Sequence, residues 1–322
     1  MLAYHILLWY NIFISVIWRE NMNNLQKLKG SLILMLTAIV WGSGFVAQSA
    51  GMELIEPNTF NGLRMLIGSL VLLPLALRAE KTDPKTKEKG NKKILVISAF
   101  LCGCVLCAAS TIQTWGLKYT TSGNSGFITA MYMIFVPIIS VFAGKKISAR
   151  TFICALIALC GMYFLCLFGN DISINFGDAL TLVCAVLFAV HILLIDKFIP
   201  DVNAVQFSSL QFFFCGLINI IIMFIMENPS FEIIKSCTVP ILYSGLFACG
   251  IGYTLQPIGQ KYAEPTAASI IMSLESVFAL IFGILILHEA ITVPQLFGCI
   301  IMFAAIILIQ LPDKKDLNHE QK

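Results

Sequence analysis

The sequence contains few charged residues. Asp, Glu, Lys and Arg make up 12% of its 322 residues, whereas hydrophobic residues make up 58%. A soluble globular domain has about 25% charged residues, so this composition excludes a water-soluble protein. The 24 phenylalanines exclude a disordered chain, and a net charge of +3 gives no reason to predict nucleic acid as a partner. A helical protein that crosses the membrane many times fits the composition.

The sequence also lacks the motifs of enzymes and metalloproteins. It has no phosphate-binding loop, dinucleotide fingerprint or nucleophile motif. Cys104 and Cys107 form one C-x-x-C, but no second pair or histidine cluster accompanies them. We therefore interpret the eleven cysteines as small apolar residues of membrane helices, and we predict no metal, no cofactor and no enzymatic activity.

Ten long apolar segments are present. A transmembrane helix needs about 20 mostly apolar residues to cross about 30 Å of hydrocarbon. Helices are required because unpaired backbone groups are too costly in lipid. The predicted spans are 31–50, 59–78, 94–116, 123–143, 150–168, 178–197, 204–226, 239–259, 266–287 and 293–311.

The basic residues predict the orientation of these spans. Lys and Arg are retained on the cytoplasmic side in short loops. With a cytoplasmic N-terminus, 18 of the 21 basic residues lie inside, Lys118 and Lys235 lie outside, and Arg64 lies within a span. We therefore predict a multi-pass protein of the cell membrane with both ends in the cytoplasm.

Two terminal segments flank the spans. Residues 1–29 form an N-terminal extension, whose first 18 residues are apolar but lack the charge and cleavage pattern of a signal peptide. An eleventh span there would leave the other orientations unchanged. We hypothesise instead that Met22 is the natural start. Residues 312–322 form a cytoplasmic tail.

The two halves of the sequence resemble each other. The pattern Q-x-x-G-x-K-Y begins at Gln113 and recurs 143 residues later at Gln256. Matches at an offset of 147 occur earlier in each half: Gly30 with Gly177, Ala38 with Ala185, Phe60 with Phe207, and Leu63 with Leu210. Residues 30–168 and 177–311 are therefore predicted to be repeats of five helices each.

An odd number of helices has a topological consequence. If both units fold alike, the second must be inverted in the membrane relative to the first. Transporters built from such inverted repeats bind their substrate near the midplane, at the interface between the halves. This arrangement permits alternating access from the two sides of the membrane.

Several stretches resemble one known family. AIVWGSGFVAQ, FNGLRMLIGSLVLLPL, TSGNSGFITAMYMIFVPII and SIIMSLESVFALIFGILILHEAIT are similar to the EamA-type branch of the drug/metabolite transporter superfamily. The resemblance implies ten helices in a 5+5 inverted repeat, cytoplasmic ends, and transport of small metabolites, amino acids or xenobiotics, often outward. Ser276 stands where many relatives carry Pro, so we expect a less kinked ninth helix.

Three ionisable residues within the spans are candidates for substrate binding or coupling, because such groups are costly in a membrane. Glu275, paired with Tyr132 by the repeat, could bind a substrate ammonium or a proton, or tie helices together. His191 could relay protons or form a structural hydrogen bond. Arg64 could bind a carboxylate, or act as a structural anchor that extends toward the outer surface.

Uncharged residues complete the candidate site. Gln48, Asn61, Gln113 and Gln256 could orient a ligand or bond neighbouring helices. Trp41, Tyr132 and Tyr253 could form an aromatic wall or serve only in packing. Together these residues predict a secondary transporter, an exporter of a small solute, with protons as a candidate coupling ion. A passive uniporter or channel of the same fold and an integral-membrane lipid or glycan transferase are the alternatives.

Overall fold

The computed structural model describes residues 2–82, 91–120, 122–169, 175–287 and 291–310. Every regular element in these residues is a helix, which confirms the predicted all-helical class. The predicted tail, residues 312–322, lies outside the described residues.

Ten helical segments are long and apolar enough to cross a membrane, as predicted. They are referred to as the first to tenth helices, and their spans are Leu25–Met52, Pro57–Thr82, Asn91–Leu117, Asn124–Phe142, Ala149–Cys166, Phe176–Phe198, Ala204–Met226, Thr238–Gln260, Pro265–Leu285 and Val293–Gln310. Most of the predicted ends lie within a few residues of these bounds. Hydropathy suffices here because the spans are separated by short polar breaks.

The first helix extends well beyond its span. It runs without interruption from Leu2 to Met52, a length of 51 residues. At 1.5 Å per residue this is about 76 Å, more than twice the thickness of the hydrocarbon. The N-terminal extension is therefore continuous with the first helix.

The fourth and ninth helices are both interrupted near their middle. The fourth consists of Ser122–Ala130 and Tyr132–Phe142, and the ninth of Pro265–Met272 and Glu275–Leu287. At the breaks, Ile134 N–H donates to Met131 O at 2.8 Å and Ser276 N–H donates to Ser273 O at 3.3 Å, so the backbone bonds span three residues instead of four. The ninth helix is thus interrupted without a proline at 276, contrary to the expectation from sequence.

The two breaks occupy equivalent positions in the repeats. Met131 lies 143 residues before Leu274, and Tyr132 lies 143 residues before Glu275. Tyr132 and Glu275 are the first residues of the second segments of their helices. The same backbone feature therefore appears in both halves and presents a different polar side chain in each.

The eighth helix also departs from regular α-helical geometry. Thr238–Tyr243 and Thr254–Gln260 are α-helical, and between them Ser244–Tyr253 forms wider π-type turns. Such turns are frequent at functional sites. A short helix, Phe231–Ser236, precedes this span.

Helices that correspond in the two repeats pack against each other in antiparallel pairs. In the second and seventh helices, a Cβ on Gly62 would lie 2.8 Å from Ile220 Cδ1. Further along, Ser69 Oγ donates to Ser209 O at 2.9 Å, and Ser209 Oγ donates to Ser69 O at 3.1 Å. Position numbers rise along one helix as they fall along the other, so the two helices run in opposite directions.

The fifth and tenth helices form a second antiparallel pair. Arg150 donates a hydrogen bond to Leu308 O. Gly161 and Gly298 face each other so closely that a Cβ on either would lie 2.9 or 2.6 Å from the carbonyl oxygen of the other. Small residues at such contacts let helix backbones approach in a membrane.

Contacts between the halves repeat as well. A Cβ on Gly30 of the first helix would lie 3.1 Å from Gly259 O of the eighth, and one on Gly177 of the sixth would lie 2.6 Å from Gly116 O of the third. Gly259 and Gly116 are the glycines of the two Q-x-x-G-x-K-Y motifs. Each motif therefore packs against the start of the other half.

Candidate functional site

A cavity lies between the two halves, in the middle of the helix bundle. About 50 Å³ of it is open to the centres of water molecules, which is room for a few waters. The helix interruptions at Tyr132 and Glu275 border it. It is lined by Trp41, Gly44, Phe45, Gln48, Arg64, Gln113, Thr129, Tyr132, Phe188, His191, Ile192, Ala248, Tyr253, Gln256, Met272 and Glu275.

The cavity brings together nearly all of the candidate residues. Glu275, His191, Arg64, Trp41, Tyr132, Tyr253, Gln48, Gln113 and Gln256 line it directly. Asn61 does not line it but holds Arg64 from behind, with Arg64 Nε donating to Asn61 Oδ1 at 2.9 Å. Residues that are far apart in sequence thus share one site.

Most of the lining consists of repeat-related pairs. At the offset of 143 the pairs are Gln113 with Gln256, Thr129 with Met272, and Tyr132 with Glu275; at 147 they are Trp41 with Phe188, Gly44 with His191, and Phe45 with Ile192. Each half therefore contributes equivalent positions, and the cavity lies where the two repeats meet.

Glu275 and Tyr132 contact each other across this interface. Tyr132 Oη donates to Glu275 Oε1 at 3.4 Å, and Tyr132 is 3% exposed. Glu275 begins the helical segment Glu275–Leu287, where the helix dipole favours a negative charge. Gly42 lets the first helix approach at this level, since its Cβ would lie 2.7 Å from Glu275 O.

Arg64 is buried within a network of amides. It is 3% exposed, and besides its bond to Asn61 its Nη1 donates to Gln48 Oε1 at 3.1 Å. Asn61 Nδ2 in turn donates to Thr114 Oγ1 at 3.0 Å, and the guanidinium lies 5.3 Å from the centre of the Phe60 ring. The side chain is therefore fixed inside the bundle and does not extend outward as its depth had suggested.

No acidic partner balances this guanidinium among the described residues, whose salt bridges involve only lysines. A buried cation held by neutral amides retains its attraction for an anion. The cavity therefore offers a carboxylate-binding group at Arg64.

Two glutamines in the cavity wall have unsatisfied polar atoms. Gln48 Nε2 and Gln256 Oε1 are buried without a hydrogen-bond partner, at overall exposures of 6% and 1%. Such atoms are destabilising unless water or a ligand satisfies them. By contrast, Gln113 Nε2 donates to Thr129 Oγ1 at 3.3 Å. Gln48 thus offers a donor and Gln256 an acceptor to a molecule in the cavity.

His191 reaches the cavity from the sixth helix. It is 1% exposed, and its Nε2 lies 3.2 Å from Gln211 Oε1. Gln211 is the repeat counterpart of Arg64. Second and seventh helices therefore use equivalent positions to hold a polar residue of the first and sixth helices, Gln48 in one half and His191 in the other.

The aromatic side of the cavity is formed by Trp41 and Tyr253, whose ring centroids lie 4.5 Å apart. Trp41 Nε1 donates to Ala248 O at 3.3 Å, a carbonyl within the π-type turns of the eighth helix. Gly252 leaves space for the indole, because a Cβ there would lie 2.6 Å from Trp41 Nε1. The result is an apolar wall opposite the polar residues.

Comparison with known proteins identifies the family. A model of the EamA-like transporter family matches residues 28–167 and again residues 175–311. The chain belongs to the EamA-like transporter family. The resemblance noted in the sequence is thereby confirmed, and the protein is a multi-pass protein of the cell membrane.

Relatives of this EamA-like transporter cover most of its length. An uncharacterized transporter of Archaeoglobus fulgidus is 31% identical over 287 residues, which are 89% of this chain and 87% of that protein. Uncharacterized transporter YoaV of Bacillus subtilis is 25% identical, over 87% of this chain and 96% of the relative. Family and relatives point to transport rather than to enzymatic activity.

A solved structure shows the same fold. It superposes with a TM-score of 0.71 at 16% identity, covering 87% of this chain and 96% of the other. Among the described residues of this EamA-like transporter, no three His, Cys, Asp or Glu side chains are grouped as a metal site.

Sequence reasoning missed part of the site. Thr129 and Met272 were not candidates, although they line the cavity and are related by the offset of 143. Ala248 could not be found because it contributes a backbone carbonyl. The signal that could have found Thr129 and Met272 is the repeat itself, applied to each position one turn before Tyr132 and Glu275.

Proposed function

We propose that this EamA-like transporter exports a small organic solute by alternating access between two inverted repeats. The observation that carries the proposal is the central cavity, lined by equivalent positions of both halves and bordered by two equivalent helix interruptions. Interrupted helices in corresponding positions of two halves are the usual mark of a transporter binding site.

The antiparallel packing of corresponding helices supports the inverted arrangement. The second and seventh helices occupy equivalent places in the two units yet run in opposite directions, as do the fifth and tenth. Two units related in this way can exchange conformations, so that the cavity opens first to one side and then to the other.

The cavity residues have complementary roles in this proposal. Glu275 binds a cationic group of the solute or a proton, and Arg64 binds a carboxylate. Gln48 and Gln256 supply a hydrogen-bond donor and an acceptor, and the Trp41–Tyr253 wall contacts the apolar part of the solute. The cavity lining contains one carboxylate, Glu275, whereas a transferase would need several acidic or metal-binding groups together.

The present conformation encloses little space. A drug-sized ligand fills a pocket of about 300–1,000 Å³, so the halves must separate before a solute can enter a cavity with room for a few waters. The irregular backbone at Met131, at Ser273–Leu274 and in Ser244–Tyr253 has fewer α-helical hydrogen bonds to break. We infer that these segments bend during the cycle.

Purified protein in vesicles tests the proposal. A thermal-shift screen with amino acids, sugars and common drugs first identifies a stabilising compound. Uptake of that compound into vesicles is then measured at several pH values for the unmodified protein, Glu275→Gln and the matched variant Tyr132→Phe. We expect Glu275→Gln to abolish the pH dependence of transport while Tyr132→Phe, which keeps the carboxylate, retains it.

Two results would change the conclusion. If Glu275→Gln retains the full pH dependence, the carboxylate has only a structural role. If the solute equilibrates across the membrane but never accumulates under any ion gradient, the protein is a passive uniporter of the same fold.

A further inference from the structure

Glu227 holds two helices together at one end of the bundle. It follows the seventh helix directly, and its carboxylate accepts four hydrogen bonds from the first turn of the second helix. Oε1 accepts from Asn58 N at 2.8 Å and Asn58 Nδ2 at 2.6 Å; Oε2 accepts from Thr59 N and Thr59 Oγ1, both at 2.7 Å. A carboxylate at a helix N-terminus satisfies unpaired N–H groups and interacts with the helix dipole.

The repeat places another glutamate at the opposite end. Glu80 lies 147 residues before Glu227, the offset that relates the second and seventh helices. Glu80 does not bond the seventh helix as Glu227 bonds the second. Its Oε1 instead accepts from Lys92 Nζ at 2.7 Å, at the start of the third helix in its own half. Equivalent glutamates therefore have different partners in the two halves.

The partners of these glutamates are themselves repeated. Lys92 corresponds at the offset of 143 to Lys235, which lies just before the eighth helix and is exposed. Asn58 and Thr59 correspond at the offset of 147 to Val205 and Gln206, in the first turn of the seventh helix. Each half thus contains one glutamate, a lysine of its own half and a helix start of the other half.

The space around the two glutamates differs in the same sense. At the Glu80 end, a hollow of about 230 Å³ separates the second, third and seventh helices, and Glu80, Lys92, Asn203 and Gln206 all line it. Asn203 caps its own helix there, its Oδ1 accepting from Val205 N at 3.0 Å and Gln206 N at 3.2 Å. At the Glu227 end the glutamate closes the corresponding gap between the same two helices.

We propose that Glu227 and Glu80 are alternating latches of the transport cycle. In the conformation described here, Glu227 is latched to the second helix and Glu80 is paired with Lys92. In the other conformation, Glu80 bonds the first turn of the seventh helix and closes the hollow, while Glu227 leaves Asn58 and Thr59 and pairs with Lys235. Both glutamates are positioning residues, and this inference rests on the proposed alternating access.

Hydrogen exchange of the full-length protein in lipid nanodiscs tests the latches without any substrate, so it is independent of whether a transported solute has been found. Glu227→Gln replaces one acceptor oxygen with an NH₂ group that faces the Thr59 donors. We expect amide exchange at Asn58 and Thr59 to become about tenfold faster, and exchange at Val205 and Gln206 to become slower as Glu80 latches. Glu232→Gln removes an acid from the nearby helix Phe231–Ser236 and should change neither.

Two further variants separate a coupled latch from a local cap. Lys92→Ala frees Glu80 while leaving every contact of Glu227 in place, so exchange at Asn58 and Thr59 should still become faster. In the double variant Glu227→Gln/Glu80→Gln the slowing at Val205 and Gln206 should disappear. Faster exchange at the Glu227 end without a change at the seventh helix, or no response to Lys92→Ala, would overturn the proposal.

Discussion

Gly42 offers the most direct test of how helix packing positions the candidate site. A Cβ at this position would lie 2.6 Å from Phe278 Cβ, 2.7 Å from Ala279 N and 2.7 Å from Glu275 O. Two of these atoms belong to the backbone of the ninth helix and cannot rotate away. We therefore expect Gly42→Ala to force the first and ninth helices apart next to Glu275.

The size of the effect follows from these distances. Ordinary contacts of a Cβ begin at 3.4 Å, so the new methyl group is too close to three atoms by at least 0.7 Å. Overpacking of this kind in a close-packed interior costs about 1–3 kcal/mol. A displacement approaching 1 Å also disturbs binding geometry far more than its energy suggests. We expect a lower unfolding temperature together with reduced transport.

A second glycine provides the matched control. Gly126 lies in the fourth helix beside the same site, but the nearest atom to its Cβ would be Ser276 Oγ at 4.0 Å. Gly126→Ala should be neutral or slightly stabilising, by up to about 1 kcal/mol, because alanine favours the helix. Thermal unfolding in nanodiscs compares the two variants. Equal unfolding temperatures for Gly42→Ala and Gly126→Ala would refute the reasoning.

Two other substitutions examine the cavity wall. Arg64→Lys keeps the charge but loses the planar fork that bonds Asn61 and Gln48 at the same time; we expect weaker stabilisation by carboxylate-bearing compounds in the thermal-shift assay, and unchanged binding of such compounds would contradict a role for the guanidinium. Trp41→Phe keeps the contact with Tyr253 but removes the bond to Ala248 O, which should cost about 0.5–1.5 kcal/mol of stability, whereas Trp41→Ala should lose about 3–5 kcal/mol; equal losses for both would show that the ring contributes no packing.

The helices were predictable because hydrophobicity alone determines what crosses a bilayer. Each span needs only enough apolar residues between polar breaks, and the sequence satisfies this requirement ten times. The long helix Leu2–Met52 was not predicted as one element, because nothing in apolar composition marks where a helix extends past the membrane. The interruption at Ser273–Leu274 was not expected either, since the pattern looks for proline and this break has none.

The site was predictable to the extent that it follows the repeat. Glu275 and Tyr132 were paired by numbering alone, and the structure brings their side chains within 3.4 Å. Glu227 escaped notice because it lies at the end of a span, where an acidic residue needs no explanation. Its four hydrogen bonds depend on how the seventh helix meets the second, and that meeting is a tertiary contact which no local pattern encodes.

The differences between the repeats carry as much meaning as their similarity. The glycines that set helix spacing recur in both halves, as Gly116 and Gly259 show, so the two halves can adopt equivalent shapes. The polar residues of the cavity do not recur: Glu275 faces Tyr132, and His191 corresponds to Gly44. Equivalent shapes allow a proposed cycle with two conformations of similar energy. Unequal side chains give the cavity one cationic and one anionic group at fixed places, so a solute that engages both has one orientation in either conformation.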